Sequence, residues 1–206
     1  MALRTFVKVS SITNLSDARY CAGMGVDMLG FSLDPSSSDF VSEAAFKEIV
    51  GWVAGVKIVG ELGNIPAEQA GDLLAKYPVD YLQTDQSESI PQLSALNIPL
   101  ILGANFLENS QSSLKEICAT NHTFVDCFLL ESENIVLTEF EMSFLRRLSS
   151  KYSILLGFGF SHTNIQFLLD EIPVKGIALR GTHEIKPGLK DFDALAEVLE
   201  AIEMED

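Results

Sequence analysis

The side chains with chemistry to offer begin at Lys8-Val9-Ser10-Ser11-Ile12-Thr13-Asn14, where a β-branched run (Thr5, Val7, Val9) stops and a helix capped by Asn14 or Ser16 begins. Ser10 places a hydroxyl at a strand end, and a hydroxyl without an adjacent base cannot take a proton near neutral pH. Lys8 is the one candidate helper. It shares Ser10's strand parity, but the two Cα atoms are expected ~6.5–7 Å apart, so Lys8 reads as structural. Farther on, Phe128-Leu129-Leu130-Glu131 ends an apolar run with a carboxyl at a strand end. Arg180-Gly181-Thr182 sets an arginine, a glycine and a hydroxyl at a strand-to-loop junction, a grouping able to grip an oxyanion. The competing reading of Arg180 is a salt bridge to an acid such as Glu184. Glu61, Asp85, Glu131 and Glu133 offer a further alternative, a ring of oxygen ligands for Mg²⁺ or Mn²⁺, with His162 and His183 on loops near the same face. Each of these polar residues is equally explained as a solvated loop position.

These residues need elements to hold them. Short β-rich runs alternate with amphipathic helical stretches eight times, the mark of a parallel sheet joined by helices. The pattern predicts strands at 5–10, 27–33, 55–61, 79–84, 98–104, 124–130, 153–157 and 175–180. The helical stretches carry apolar residues at three- and four-residue spacing, such as Ala45, Ile49 and Val53, or Leu195, Val198, Leu199 and Ile202. Eight strand–helix units in 206 residues predict a single-domain (β/α)₈ TIM barrel over 1–206, at the short end for that fold and therefore with short loops. A doubly wound open sheet is the alternative. It is disfavoured because no GxGxxG follows the first strand and because an eighth helix at 190–203 closes a barrel. In a barrel, function collects at the C-terminal strand ends, here Ser10, Asp34, Glu61, Asn64, Asp85, Asn105, Glu131, Gly159, Arg180 and Thr182.

A formal net charge of −15 argues against nucleic acid, anionic lipid or any polyanionic partner. It also opposes an anionic small ligand, unless a few local donors hold the anion. Three cysteines without CxxC spacing suggest neither a disulfide framework nor a zinc site, which fits a reducing cytoplasm. No run reaches the ~18 uninterrupted apolar residues of a membrane span, and no signal peptide is evident, so a soluble cytoplasmic protein is expected. Oligomeric state is not legible.

Several stretches at matching spacing resemble the phosphoribosylanthranilate isomerase family over nearly the whole chain. Lys8 to Thr13 is similar to the family's Lys, apolar, Cys, Gly, Ile, Thr. Gly25-Val26-Asp27-Met28-Leu29-Gly30-Phe31 resembles its second strand, Phe40-Val41-Ser42 its Tyr-Val-Ser, and Val59-Gly60 with Asn64 its third strand. Leu82-Gln83 resembles the start of its Gln-Leu-His-Gly. Gly176-Ile177 through Glu184, then Pro187-Gly188-Leu189-Lys190-Asp191, resemble its last strand, phosphate loop and Pro-Gly-x-Lys-Asp.

The resemblance implies a TIM barrel and an Amadori rearrangement in tryptophan biosynthesis, an aldose-to-ketose isomerisation without cofactor or metal. A sixth-strand carboxylic acid protonates the ribose ring oxygen and the first-strand Cys takes the C2′ proton. The implied catalytic positions are Ser10 and Glu131, the phosphate-binding positions Gly159, Arg180, Gly181 and Thr182, and the substrate-binding positions Gln83, Asp85 and Asp39. Here Ser10 replaces the Cys, Glu131 replaces an Asp, and Asp39 stands at the family's arginine, where an acid repels the substrate carboxylate. Glu133-Asn134-Ile135-Val136-Leu137 carries no counterpart of the family's Gly-Gly-Thr-Gly loop, and Phe158-Gly159 stands for its Gly-Gly. Phe158 and Phe160 then either make the mouth apolar or pack under the seventh helix. Loss of a placed acid or base typically costs roughly 10²–10⁴ in rate. The chain is therefore expected to be either a weakened isomerase or an inactive barrel that binds a small phosphorylated ligand or a partner protein. Whether it is an enzyme stays open at this point.

Overall fold

Eight parallel strands close into a barrel, and the closure sets Ser10 beside Arg180. The computed structural model describes residues 2–132, 135–181, 184–186, 189–190 and 193–204, with 184–194 as backbone only. The barrel strands are β1 (Phe6–Ser10), β2 (Met28–Ser32), β3 (Lys57–Glu61), β4 (Tyr81–Thr84), β5 (Leu100–Asn105), β6 (Cys127–Glu131), β7 (Ile154–Leu156) and β8 (Gly176–Arg180). They neighbour one another in sequence order, and β1 closes on β8 in the register Phe6↔Gly176 to Ser10↔Arg180. The helices are α1 (Leu15–Gly23), α2 (Glu43–Val50), α3 (Ala70–Lys76), α4 (Ile90–Ser94), α5 (Gln111–Asn121), α6 (Glu139–Ser149), α7 (Ile165–Glu171) and α8 (Asp193–Ala201). The predicted TIM barrel is therefore the observed fold, with strand ends within a few residues of their expected places.

Strand parity explains two cores. One set of residues, Val7, Val9, Leu29, Phe31, Leu82 and Leu102 among them, packs against the helices. The alternate set, Met28, Val59, Ile101, Cys127, Leu129, Leu155 and Ala178, forms a separate cluster that fills the barrel interior. Continuing that interior parity toward the C-terminal strand ends, apolar residues give way to Ser10, Glu61, Gln83, Asn105, Glu131 and Arg180. The polar layer is thus the lid of an apolar plug, which is why its side chains face the mouth. Asn14 caps α1 by accepting from the Asp17 N–H at 3.0 Å, which decides between the two expected caps. Leu195, Val198, Leu199 and Ile202 are buried as their spacing predicts. Two small pairings were not expected: Ala2–Leu3 with Glu203–Met204, and the hairpin Glu184–Lys186 with Leu189–Lys190. Two- and three-residue strands are too short to carry a period. Cys21, Cys118 and Cys127 are buried, and no described helix is long and apolar enough to cross a membrane.

Candidate active site

The floor of the barrel mouth is built around a buried ion pair. Lys8, fully buried, lays its side chain along β1 so that Nζ donates both to Ser10 Oγ and, at 2.6 Å, to Glu61 Oε1. The expectation that Lys8 stands too far from Ser10 is therefore corrected. Spacing at Cα does not limit a side chain that runs along its own strand. Room for the pair comes from Gly30 on β2, where a Cβ would overlap the Glu61 carboxyl and lie 2.9 Å from Lys8 Nζ. Gly103 on β5 does the same for Asp85, whose Oδ1 occupies the space a side chain would take.

A cavity of about 200 Å³ opens above this floor, lined by Ser10, Ser11, Glu61, Gln83, Asp85, Glu131 and Arg180, with Asp34, Ser37 and Asp39 at its rim. Most sequence-predicted residues meet here. Burial pushes the Glu131 carboxyl above its ordinary range; Asp85 and Glu61 add to the rise while Lys8 and Arg180 oppose it. Asp85 is raised in the same way, by burial first and Glu61 second. Acids shifted in this direction suit proton donation better than ion pairing. Asp34 goes the other way: bonds from Ser36 and from the Asn64 N–H hold it below the usual carboxylate range and pin the loop after β2.

Ser11 went unremarked in the sequence and matters to the geometry. Its φ is +61°, in the left-handed region that favours glycine, and the resembling family has glycine there. The turn brings Ser11 Oγ to 3.3 Å from Arg180 Nε, and the Gly181 N–H donates to the Ser10 carbonyl at 2.9 Å. Ser10, Ser11, Arg180 and Gly181 are thus tied together across the β1–β8 seam.

Other expectations are placed differently. Gly159, φ +79°, does not line this cavity with Arg180. It lies in a neighbouring one of about 410 Å³ with Ser132, Phe158 and Phe160, where a Cβ would meet Leu137. Phe158 is buried, its ring centroid 4.8 Å from that of Phe106. Thr182, His183 and Glu133 lie outside the described residues, as does the Glu184 side chain. Glu61 is taken by Lys8, and among the described residues, which leave out Glu133 and His183 of the metal-ring alternative, no group of three or more acids, histidines or cysteines could hold a metal ion. His162 sits 2.9 Å from Glu197, not at the mouth.

The family model described as N-(5'phosphoribosyl)anthranilate (PRA) isomerase matches residues 7–201. The chain belongs to that family. A curated N-(5'-phosphoribosyl)anthranilate isomerase from Petrotoga mobilis is 30% identical over 204 residues, covering 95% of this chain and 96% of the relative. One from Aquifex aeolicus is 24% identical, covering 97% and 98%. Among solved structures, phosphoribosylanthranilate isomerase from Thermotoga maritima superposes with a TM-score of 0.78 at 21% identity, over 96% of this chain and 98% of that one, a likeness of fold. Another solved phosphoribosylanthranilate isomerase, with the same score, holds reduced 1-(o-carboxyphenylamino)-1-deoxyribulose 5-phosphate.

Proposed function

We propose that this chain is an isomerase of its family's type, acting on a phosphorylated N-substituted ribosylamine at the mouth of the barrel. The observation that carries the reading is Glu131: a half-buried carboxyl lifted toward its neutral form, on the cavity floor that also holds Ser10, with Arg180 at its edge. In this reading Glu131 donates its proton to the ribose ring oxygen. The ring opens to an iminium, and loss of the C2′ proton gives the enamine that tautomerises to the aminoketose. Arg180, with the Gly181 and Thr182 positions, holds the phosphate; Asp85 contacts the sugar. Ser10 stands at the base position, but its Oγ accepts from the Lys8 ammonium, which makes a hydroxyl a still poorer proton acceptor. Proton removal is therefore the slow step, and turnover of N-(5'-phosphoribosyl)anthranilate is expected roughly 10²–10⁴ below that of a relative with a thiol base.

The same position favours a second reading, a barrel that binds a small phosphorylated ligand without turning it over. Following substrate fluorescence at micromolar protein, beside a cysteine-bearing relative, separates the two. Slow loss above the uncatalysed rate supports the isomerase. No loss, with calorimetric heat for ribose 5-phosphate that disappears in Arg180→Ala, supports the binder.

A further inference from the structure

The charge at the mouth points to a kind of substrate. A second cavity, about 410 Å³ and lined by Ser87, Asn105, Glu108 and Asn109, shares Asp85 and Glu131 with the first, so a ligand anchored at Arg180 runs across both. Carboxyls from the described residues face this path on every side: Asp34 and Asp39 from the β2–α2 loop, Glu61, Asp85 and Glu131 from the floor, Glu108 after β5. Two described cations oppose them. Lys8 is sealed beneath the floor and engaged with Glu61 and Ser10. Of these two, Arg180 is the one exposed at the mouth, and among the described residues its Nε donates to Ser11 Oγ. Gln83 supplies an independent sign: it is 8% exposed, lines the first cavity, and its Oε1 has no hydrogen-bond partner among the described residues. A buried amide oxygen that lines a cavity without a protein donor can accept from a ligand's O–H or N–H.

We propose that the ligand carries one anionic group, a phosphate met by Arg180, and that its amine substituent is neutral or cationic and rich in hydrogen-bond donors, not a carboxylate. The inference rests on the isomerase reading for the placement of the amine. A second anion would enter beside Asp39 and Glu108, carboxylates that no described cation pairs, whereas an amide or ammonium meets Gln83 and these acids as a donor.

Two unreactive probes test it: reduced 1-(phenylamino)-1-deoxyribulose 5-phosphate bearing an ortho-carboxylate or an ortho-carboxamide, titrated into the full chain by calorimetry. The carboxamide is expected to bind about tenfold or more tighter, because a like-charge contact in a partly screened site shifts affinity by that order. Asp39→Asn with Glu108→Gln should narrow the gap, and Arg180→Ala should weaken both probes by one factor. Equal or tighter binding of the carboxylate, or no heat from either at millimolar concentration, overturns the inference. Turnover is scored separately on N-(5'-phosphoribosyl)anthranilate and its amide. Activity on neither, with the binding preference intact, retires the isomerase reading and leaves the charge preference standing.

Discussion

Removing the Lys8 ammonium while leaving Glu61 in place should cost the fold several kcal/mol, and removing both should recover most of it. Lys8 Nζ lies 2.6 Å from Glu61 Oε1, with the lysine side chain fully buried and the glutamate 14% exposed. Breaking a buried pair from one side typically costs ~3–5 kcal/mol, because the remaining charge is left without a partner. Glu61 keeps an edge on the cavity, so Lys8→Met is expected near the lower end, about 3 kcal/mol at pH 7.5. In Lys8→Met with Glu61→Leu, two apolar chains fill the slot beside Gly30, and stability should return to within about 1 kcal/mol of the parent. Urea denaturation at pH 7.5 reads both effects. A single variant within about 1 kcal/mol of the parent refutes the buried pair. A double variant as unstable as the single one assigns the cost to packing.

Glu131→Gln should gain stability relative to the parent as pH rises. The parent's carboxyl is lifted above its ordinary value of 4.5, so its burial costs stability from about there up through its raised value; denaturation at pH 4.5 and 8 checks the crossover. Ser11→Gly should relieve the +61° φ, worth about 1–2 kcal/mol, while losing the contact to Arg180. The expected result is a higher midpoint in urea with weaker ribose 5-phosphate binding by calorimetry. Burial pushes the thiols of Cys118 and Cys127 up to about 12, so iodoacetamide at pH 8 should leave both unmodified in the folded chain and alkylate both in urea.

The barrel was legible because each strand–helix unit carries its own period, and eight of them in this length leave few other closures. Strand-end position likewise found Ser10, Glu131, Asp85 and Arg180, and the family resemblance Gln83, which the structure gathers around one cavity. What the sequence hid is contact across long separations. Glu61 meets Lys8 from fifty-three residues away, and no local pattern announces a partner. The reach of a lysine along its own strand defeated an estimate made at Cα. The family resemblance grouped Gly159 with Arg180, yet Gly159 lines a different cavity from Arg180, and Leu137 occupies the space a side chain there would take. A serine at position 11 says nothing of its φ unless compared with a glycine at that place.

The measurement closest to the central claim is the pH profile of turnover in the parent, Glu131→Asp and Glu131→Gln, followed by loss of substrate fluorescence with the phosphoribosyl arylamine that turns over faster. If Glu131 supplies the proton, parent activity falls as pH climbs through its raised value, Glu131→Asp keeps a falling limb, and Glu131→Gln loses both the limb and roughly 10²–10⁴ of the rate. A Glu131→Gln variant that retains the parent's rate and profile contradicts the account.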